Sequence, residues 1–225
     1  MNTVTPTVHV VEDEPAVLRA MMRVLSNAGL RVRGYETPHE FLSQVDDSST
    51  GCIVIDLCLP GMTGLDLQQQ LVRSGCVQPI VFVTGNADVS ASVRALRAGA
   101  LDFLIKPVEA HALLESVYEA LERSAIELRK RMGRALIQQR AAMLTPRERQ
   151  VFDGVVGGLL NKQIAAEFGV SEKTIKVHRG RVMHKMGAHT VAQLVRMSDQ
   201  MRAGEEQHAT RQWRGLESLV DSVSD

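Results

Sequence analysis

At 225 residues, with 44% hydrophobic and 23% charged residues, the chain has a globular composition suited to one large or two smaller domains, which excludes disorder over most of its length. No apolar run approaches the roughly 18 residues of a membrane span, the start MNTVTPT lacks a basic-then-apolar leader, and Cys52, Cys58 and Cys76 show neither even pairing nor metal spacing, so a cytoplasmic protein with reduced thiols is expected. A net charge of zero conceals a division: residues 1–123 carry 9 Lys/Arg against 15 Asp/Glu, residues 124–198 carry 14 against 5 and residues 199–225 carry 3 against 6, so an acidic half joins a basic half suited to a polyanion.

In chain order, the first half alternates apolar runs with helix-like segments. Strands are predicted at Val8–Val11, Arg31–Tyr35, Cys52–Leu57, Ile80–Thr84 and Asp102–Ile105, and helices at Pro15–Ala28, Pro38–Val45, Gly64–Ser74 and Ser90–Ala98, with a fifth starting near Val108. Apolar runs without polar alternation imply strands buried on both faces, hence a parallel sheet covered by helices.

The first strand poses a question at "HVVEDEP". Glu12, Asp13 and Glu14 could simply favour the start of a helix at Pro15 through its dipole. Alternatively, they could sit at the carboxyl end of a parallel strand, where open α/β sheets bind ligands, and hold a cation. The later strands favour the second reading: one ends on Asp56, another on Thr84 and another on Lys106-Pro107. In a parallel sheet these ends lie along one edge, so carboxylates, a hydroxyl and an ammonium converge.

The elements "VVEDEP", "IVIDLCLPGMTGLDL", "VFVTGNADV" and "GALDFLIKP" resemble the CheY-like receiver domain of two-component response regulators, over about residues 5–123. The resemblance implies a five-stranded doubly wound sheet of order 2-1-3-4-5. It further implies that Asp56 is the phosphoacceptor for a sensor histidine kinase. Mg²⁺ would be held by Asp13, Asp56 and the backbone carbonyl of Cys58, with Glu12 on metal-bound water. Lys106, after a cis Lys106-Pro107 bond, and Thr84 would contact phosphoryl oxygens, and Phe103 would act as an aromatic switch. Gly61 and Gly64 suit the loop after Asp56. Asn86-Ala87 departs from the His-Gly pair frequent in FixJ-type receivers, which bears on phosphate lifetime.

Residues 124–141 are expected to form a helical linker continuing the fifth helix, with Leu114, Val117, Leu121, Ala125, Leu128 and Met132 as one apolar stripe. Gly133 and the run "RKRMGR" leave a loose basic tether as the alternative reading. The stripe is too short to argue a coiled coil.

"LTPRERQVF" starts the second half with Thr145 as N-cap, Pro146 in the first turn and Glu148 completing a capping box. Helices are predicted at Asn161–Phe168, after the Ser171 cap up to Gly187, and from Thr190. The pair joined by "FGVS" is a helix-turn-helix. On its second helix Ile175, Val182 and Met186 should pack inward. Lys173, Lys176, Val177, Gly180, Arg181 and His184 share the other side, where Val177 could meet a thymine methyl and Lys176 a base edge. Lys162, Thr174, Arg179 and Lys185 are expected at phosphates.

"LTPRERQV", "NKQIA" and "GVSEKTIKVHRGRVMHKMGA" resemble the LuxR/NarL-type four-helix DNA-binding domain, over about residues 142–201. The combination resembles a FixJ/NarL-type transcription regulator. It implies double-stranded promoter DNA as partner, RNA polymerase as a second one, and a homodimer on phosphorylation, with Val191, Leu194 and Val195 on the dimerisation helix. Lys176 and Val177 match base-contacting positions of the family, whereas Gly180 is smaller than its usual counterpart. Enzymatic activity beyond slow self-dephosphorylation is not expected. The rival readings are a phosphorelay module whose C-terminal helices bind protein, and a DNA binder indifferent to phosphorylation. The tail 202–225 matches neither module, and its "WRGLESLVDSV" reads either as a short amphipathic helix or as disorder.

Overall fold

The computed structural model describes residues 5–45, 50–85 and 89–203, with residues 89–92 as backbone only, so Asn86 and Ala87 and the tail beyond residue 203 lie outside the described residues. The chain divides into two compact units between Arg129 and Lys130.

In the first unit the elements alternate in the expected order: β1 (Thr7–Val11), α1 (Pro15–Asn27), β2 (Arg31–Tyr35), α2 (Pro38–Gln44), β3 (Gly51–Asp56), α3 (Gly64–Ser74), β4 (Ile80–Thr84), α4 (Val89–Arg97), β5 (Asp102–Ile105) and α5 (Ala110–Ala142). All strand pairs are parallel and the order is β2-β1-β3-β4-β5. Between β1 and β3 the winding reverses, so the loops leaving these two strands diverge and open a crevice at their carboxyl ends.

Successive side chains of the central strands feed opposite layers. Val8, Val10, Cys52, Val54, Val81 and Val83 pack with Leu18, Leu25, Leu113 and Val117 of α1 and α5. Val11, Ile53, Ile55 and Phe82 pack with Phe41, Leu67, Leu71 and Ala95 of α2, α3 and α4. Burial on both faces therefore holds for β1, β3 and β4. It fails for β2, whose Arg31 and Arg33 are exposed at the sheet edge, and for β5, where Ile105 is 54% exposed. Both are edge strands, and in β2 the exposed positions are the two arginines.

The apolar stripe expected along α5 is rotated in the structure. Leu113, Val117 and Ala120 are buried along with Ser116 and Ser124, whereas Ala125 and Met132 are exposed. Leu114 and Leu121 flank the core only partly buried. Two serines can occupy the buried face because each is paired: Ser116 Oγ donates to Asp102 Oδ2 and Ser124 Oγ accepts from Gly51 N at 3.2 Å. The helix itself is continuous through Gly133 to Ala142, so the loose tether is not formed.

The second unit contains the end of α5, then α6 (Pro146–Val156), α7 (Asn161–Phe168), α8 (Glu172–Met186) and α9 over 191–203. Thr145 caps α6 in the expected capping box with Glu148. Ile164, Ile175, Val182, Met186 and Leu194 form its core with Val151 and Phe152. Ile137 and Ala141 of α5 are part of that core. The unit therefore begins upstream of residue 142, inside the expected linker, because a short helical bundle needs the added apolar turn to close its core.

Candidate functional site

Two clusters of functional side chains stand out, one in each unit. In the first, β1 delivers Glu12 and Asp13, β3 ends on Asp56, β4 ends on Thr84, and Lys106 follows β5. Glu12, Asp56 and Thr84 are buried and Asp13 half-buried. The loop after Asp56 returns tightly over the site. A Cβ on Gly64 would lie 2.4 Å from the Asp56 carbonyl oxygen, and Gly61 turns at φ 80°.

Lys106 is the centre of the arrangement. Its Nζ donates to Asp56 Oδ2 and Glu12 Oε1, both at 2.8 Å, and lies 2.7 Å from Glu12 Oε2. Asp56 Oδ1 accepts from Cys58 N at 3.1 Å, and Glu12 Oε1 also accepts from Glu14 N at 3.3 Å. Burial pushes the Glu12 carboxyl above its ordinary range, with the Lys106 hydrogen bond opposing that rise. Burial works against the Lys106 ammonium, yet the hydrogen bonds to Asp56 and Glu12 outweigh it and carry its pKa upward.

Glu12, Asp13 and Asp56 each offer a carboxylate oxygen, and these oxygens lie within 4.8 Å of one another. Glu12 Oε2, buried, receives no well-aligned hydrogen bond. Three hard oxygen donors with spare acceptor capacity fit a divalent cation of the Mg²⁺ type. Cys58 is exposed at the rim, its Sγ 3.9 Å from Thr84 Oγ1. The Lys106-Pro107 bond is cis. Phe103 is half-buried against the α2–α4 layer, opposite Phe82 in the sheet register. A cavity of about 620 Å³ beside Lys106 is walled by Val17 and Met21 of α1, Leu113 of α5 and Val108 just before α5, with Glu14 on its rim.

The second cluster is the outer face of α8. Lys173, Lys176, Gly180, Arg181 and His184 are exposed, and so is Val177 at 50%, while Ile175, Val182 and Met186 are fully buried. A Cβ on Gly180 would meet no atom within 4 Å, so packing does not require glycine there. Lys162 is exposed in the first turn of α7. Thr174 is exposed, its N donating to Ser171 Oγ at 3.2 Å as part of the helix cap. Arg179 is half-buried and donates from Nη1 to Asn161 Oδ1 at 2.9 Å.

Two expected residues are placed differently. Lys185, expected at phosphate, points into its own unit: Nζ donates to Glu148 Oε2 at 2.6 Å and to the Met143 carbonyl at 3.0 Å. Buried Glu148 needs that cation, and the Lys185 hydrogen bond, followed by one from Thr145 N, pulls its carboxyl down to about 2. Leu194, expected at a dimer seam, is fully buried in the core, which leaves it no surface for a second copy. Val191 is half-buried against the same core and Val195 is half-buried. The apolar side of α9 covers α6 to α8. A further residue absent from the sequence reading is Arg140, which donates from Nη1 to the Met186 carbonyl at 2.9 Å. No local pattern marks it, because its acceptor lies 46 positions away.

Comparison with known proteins matches residues 8–118 to the response regulator receiver domain and residues 142–198 to the luxR family of bacterial regulatory proteins. Nodulation protein W of Bradyrhizobium diazoefficiens is 40% identical over 192 residues, covering 85% of each chain. Transcriptional regulatory protein FixJ of Azorhizobium caulinodans is 39% identical over 191 residues, 85% of this chain and 90% of its own. Among solved structures, the response regulator StyR superposes with a TM-score of 0.79 at 38% identity, over 87% of this chain and 98% of its own. Full-length FixJ from B. japonicum gives a TM-score of 0.55 at 34% identity, over 89% and 99%.

Proposed function

This chain belongs to the response regulators that join a receiver domain to a LuxR-type DNA-binding domain, and from that premise we propose how its residues divide the work. The protein is a transcriptional response regulator in which phosphorylation controls DNA binding. It is not an enzyme in the ordinary sense, and its only turnover is slow loss of its own phosphoryl group.

Asp56 is the phosphoacceptor. One of its carboxylate oxygens attacks the phosphorus of a phosphohistidine on a sensor histidine kinase; the P–N bond breaks, the imidazole leaves and an acyl phosphate forms. Such transfers depend on positioning and on neutralising charge spread over the equatorial oxygens. Lys106, already 2.8 Å from Asp56, follows the new charge and holds a phosphoryl oxygen. Thr84 turns its hydroxyl to another. Asp13, Asp56 and the Cys58 carbonyl would hold Mg²⁺, with Glu12 on its water, and the cation would supply the charge that lets an anionic phosphoryl group approach an acidic pocket.

With Thr84 drawn inward, the ring of Phe103 follows into the space it leaves, and the β5 side of the receiver repacks to favour a homodimer. On DNA, Lys176 and Val177 read base edges, with Gly180, Arg181 and His184 beside them. Lys162, Lys173, Thr174 and Arg179 fix position at phosphates. The receiver is taken as 5–123 and the DNA-binding domain as 142–201 together with the last turns of the helix 124–141, whose Ile137 and Ala141 lie in its core, in a cytoplasmic protein that recruits RNA polymerase at its promoter. Among the described residues no helix is long and apolar enough to cross a membrane.

The observation that carries this reading is one ammonium, Lys106, bound to two buried carboxylates, Asp56 and Glu12, that arrive from different strands. The test is duplex affinity and oligomeric mass of wild type and Asp56→Asn, with and without Mg²⁺ and acetyl phosphate. Phosphodonor should add one phosphoryl group, tighten binding and raise the mass of the wild type alone. Equal behaviour of the two proteins in every condition refutes Asp56 as the switch.

A further inference from the structure

The last turn of α8 is held by two cationic hydrogen bonds that run in opposite directions. Arg140, in the final turn of α5, donates to the Met186 carbonyl at the end of α8. Lys185, in the final turn of α8, donates to the Met143 carbonyl just past the end of α5, and also to Glu148. Met186 is followed by Gly187 in a left-handed turn at φ 66°, and the Arg140 guanidinium lies so close that a Cβ on Gly187 would sit 2.5 Å from Nη1. The glycine therefore lets the cation reach the carbonyl end of the helix, where the dipole favours positive charge. Ile137 and Ala141, buried on the same stretch of α5, press that turn against the core.

We propose that Arg140 is a positioning residue for DNA recognition: with Lys185 it clasps the end of α8 to the end of α5 and so fixes the pose in which Lys176 and Val177 meet the bases. The inference rests on the DNA-binding role of α8 given above. Lys176 lies ten residues before Met186, about 15 Å along the helix axis, so a tilt of about 4° about the clasp moves it by about 1 Å. Base-edge hydrogen bonds do not tolerate that displacement. Contacts to phosphate, being sequence-blind and supplied by long flexible side chains, tolerate it better. Loss of the clasp should therefore cost specificity more than general affinity.

The experiment uses the full-length protein, a duplex enriched by the wild type from a random-sequence library, and poly(dI-dC) as the sequence-blind competitor. Arg140→Ala should weaken binding to the enriched duplex about tenfold and leave poly(dI-dC) affinity within about twofold, with an unchanged dependence on salt. Arg140→Lys keeps the charge and one donor and should restore most of the loss, with Arg140→Gln between the two. If the alanine variant does not stay folded by its thermal transition, the Gln and Lys variants carry the comparison. Equal loss on both DNAs, a salt slope lower by about one as for a deleted phosphate contact, or no loss on the enriched duplex would each overturn the proposal. A wild type that enriches no duplex would instead overturn the DNA-binding role of α8 on which it depends.

Discussion

His9 makes the receiver acid-sensitive. The ring sits on β1, three residues before Glu12, and is buried. Its Nδ1 lies 3.0 Å from Tyr35 Oη, and its ring stacks on Tyr35 at 5.8 Å and meets Phe41 edge-on at 5.7 Å. Burial first, and the nearby Arg33 second, lower its pKa from 6.5 to about 4. The unfolded chain therefore binds more protons than the folded one between these values, and stability falls as the pH drops through that window. At about 1.4 kcal/mol per unit the full effect is about 3 kcal/mol, of which about 2 kcal/mol is lost between pH 7 and pH 5. Urea unfolding of wild type and His9→Phe, followed at pH 7, 6 and 5, isolates this contribution, since carboxylate effects common to both proteins cancel in the difference. The variant gives up one partner of the Tyr35 hydroxyl, about 1 kcal/mol at pH 7, leaving Arg33 as another, and should equal or exceed the wild type at pH 5. Parallel pH profiles for the two proteins would refute the reasoning, and would mean that the His9 ring finds a proton-stabilising partner in the folded state.

Other substitutions test other parts of the arrangement. Lys106→Ala leaves Glu12 and Asp56 buried without their cation and should cost about 3 kcal/mol of receiver stability, partly recovered by millimolar Mg²⁺ in thermal melts; a melt insensitive to Mg²⁺ would count against the carboxylate cluster as a cation site. Glu148→Gln should flatten acid unfolding of the second unit: the lowered carboxyl stabilises above its ordinary pKa of 4.5 and loses that contribution as pH falls toward about 2, which chemical denaturation at pH 5 and pH 3 would reveal. Gly180→Ala enters open space on an exposed helical face and should stabilise α8 by about 0.5–1 kcal/mol; a drop in melting temperature would show that the backbone there needs glycine. Removing Lys173 should lower the salt slope of duplex binding by about one whereas Lys185→Met should leave it unchanged, and equal slopes for the two variants would contradict the inward placement of Lys185.

The sequence by itself determined most of the elements and the parallel character of the sheet, because these rest on signals local to a few residues, whereas the strand order came from the resemblance to receiver domains and the unbroken course of α5 through Gly133 from the structure. Apolar runs without alternation mark β1, β3 and β4, Thr145 with Glu148 marks the start of α6, and "FGVS" between two amphipathic stretches marks the turn into α8. The strand-end residues Glu12, Asp13, Asp56, Thr84 and Lys106 were legible for the same reason, since a parallel sheet aligns its carboxyl ends whatever fills its core.

Only the tertiary structure decided which side of an element meets the core and which distant group answers a charge. Spacing along α5 admitted a stripe through Ala125 and Met132, yet Ser116 and Ser124 are buried because Asp102 and Gly51 supply partners from other elements. Composition placed Lys185 with the phosphate-binding lysines, but a buried carboxylate at Glu148 claims it, and Leu194 serves its own core rather than a partner's. Arg140 carried no mark at all. Periodicity records the geometry of one segment, whereas these outcomes depend on desolvation and pairing between segments far apart in the chain, and those are fixed only when the chain has folded.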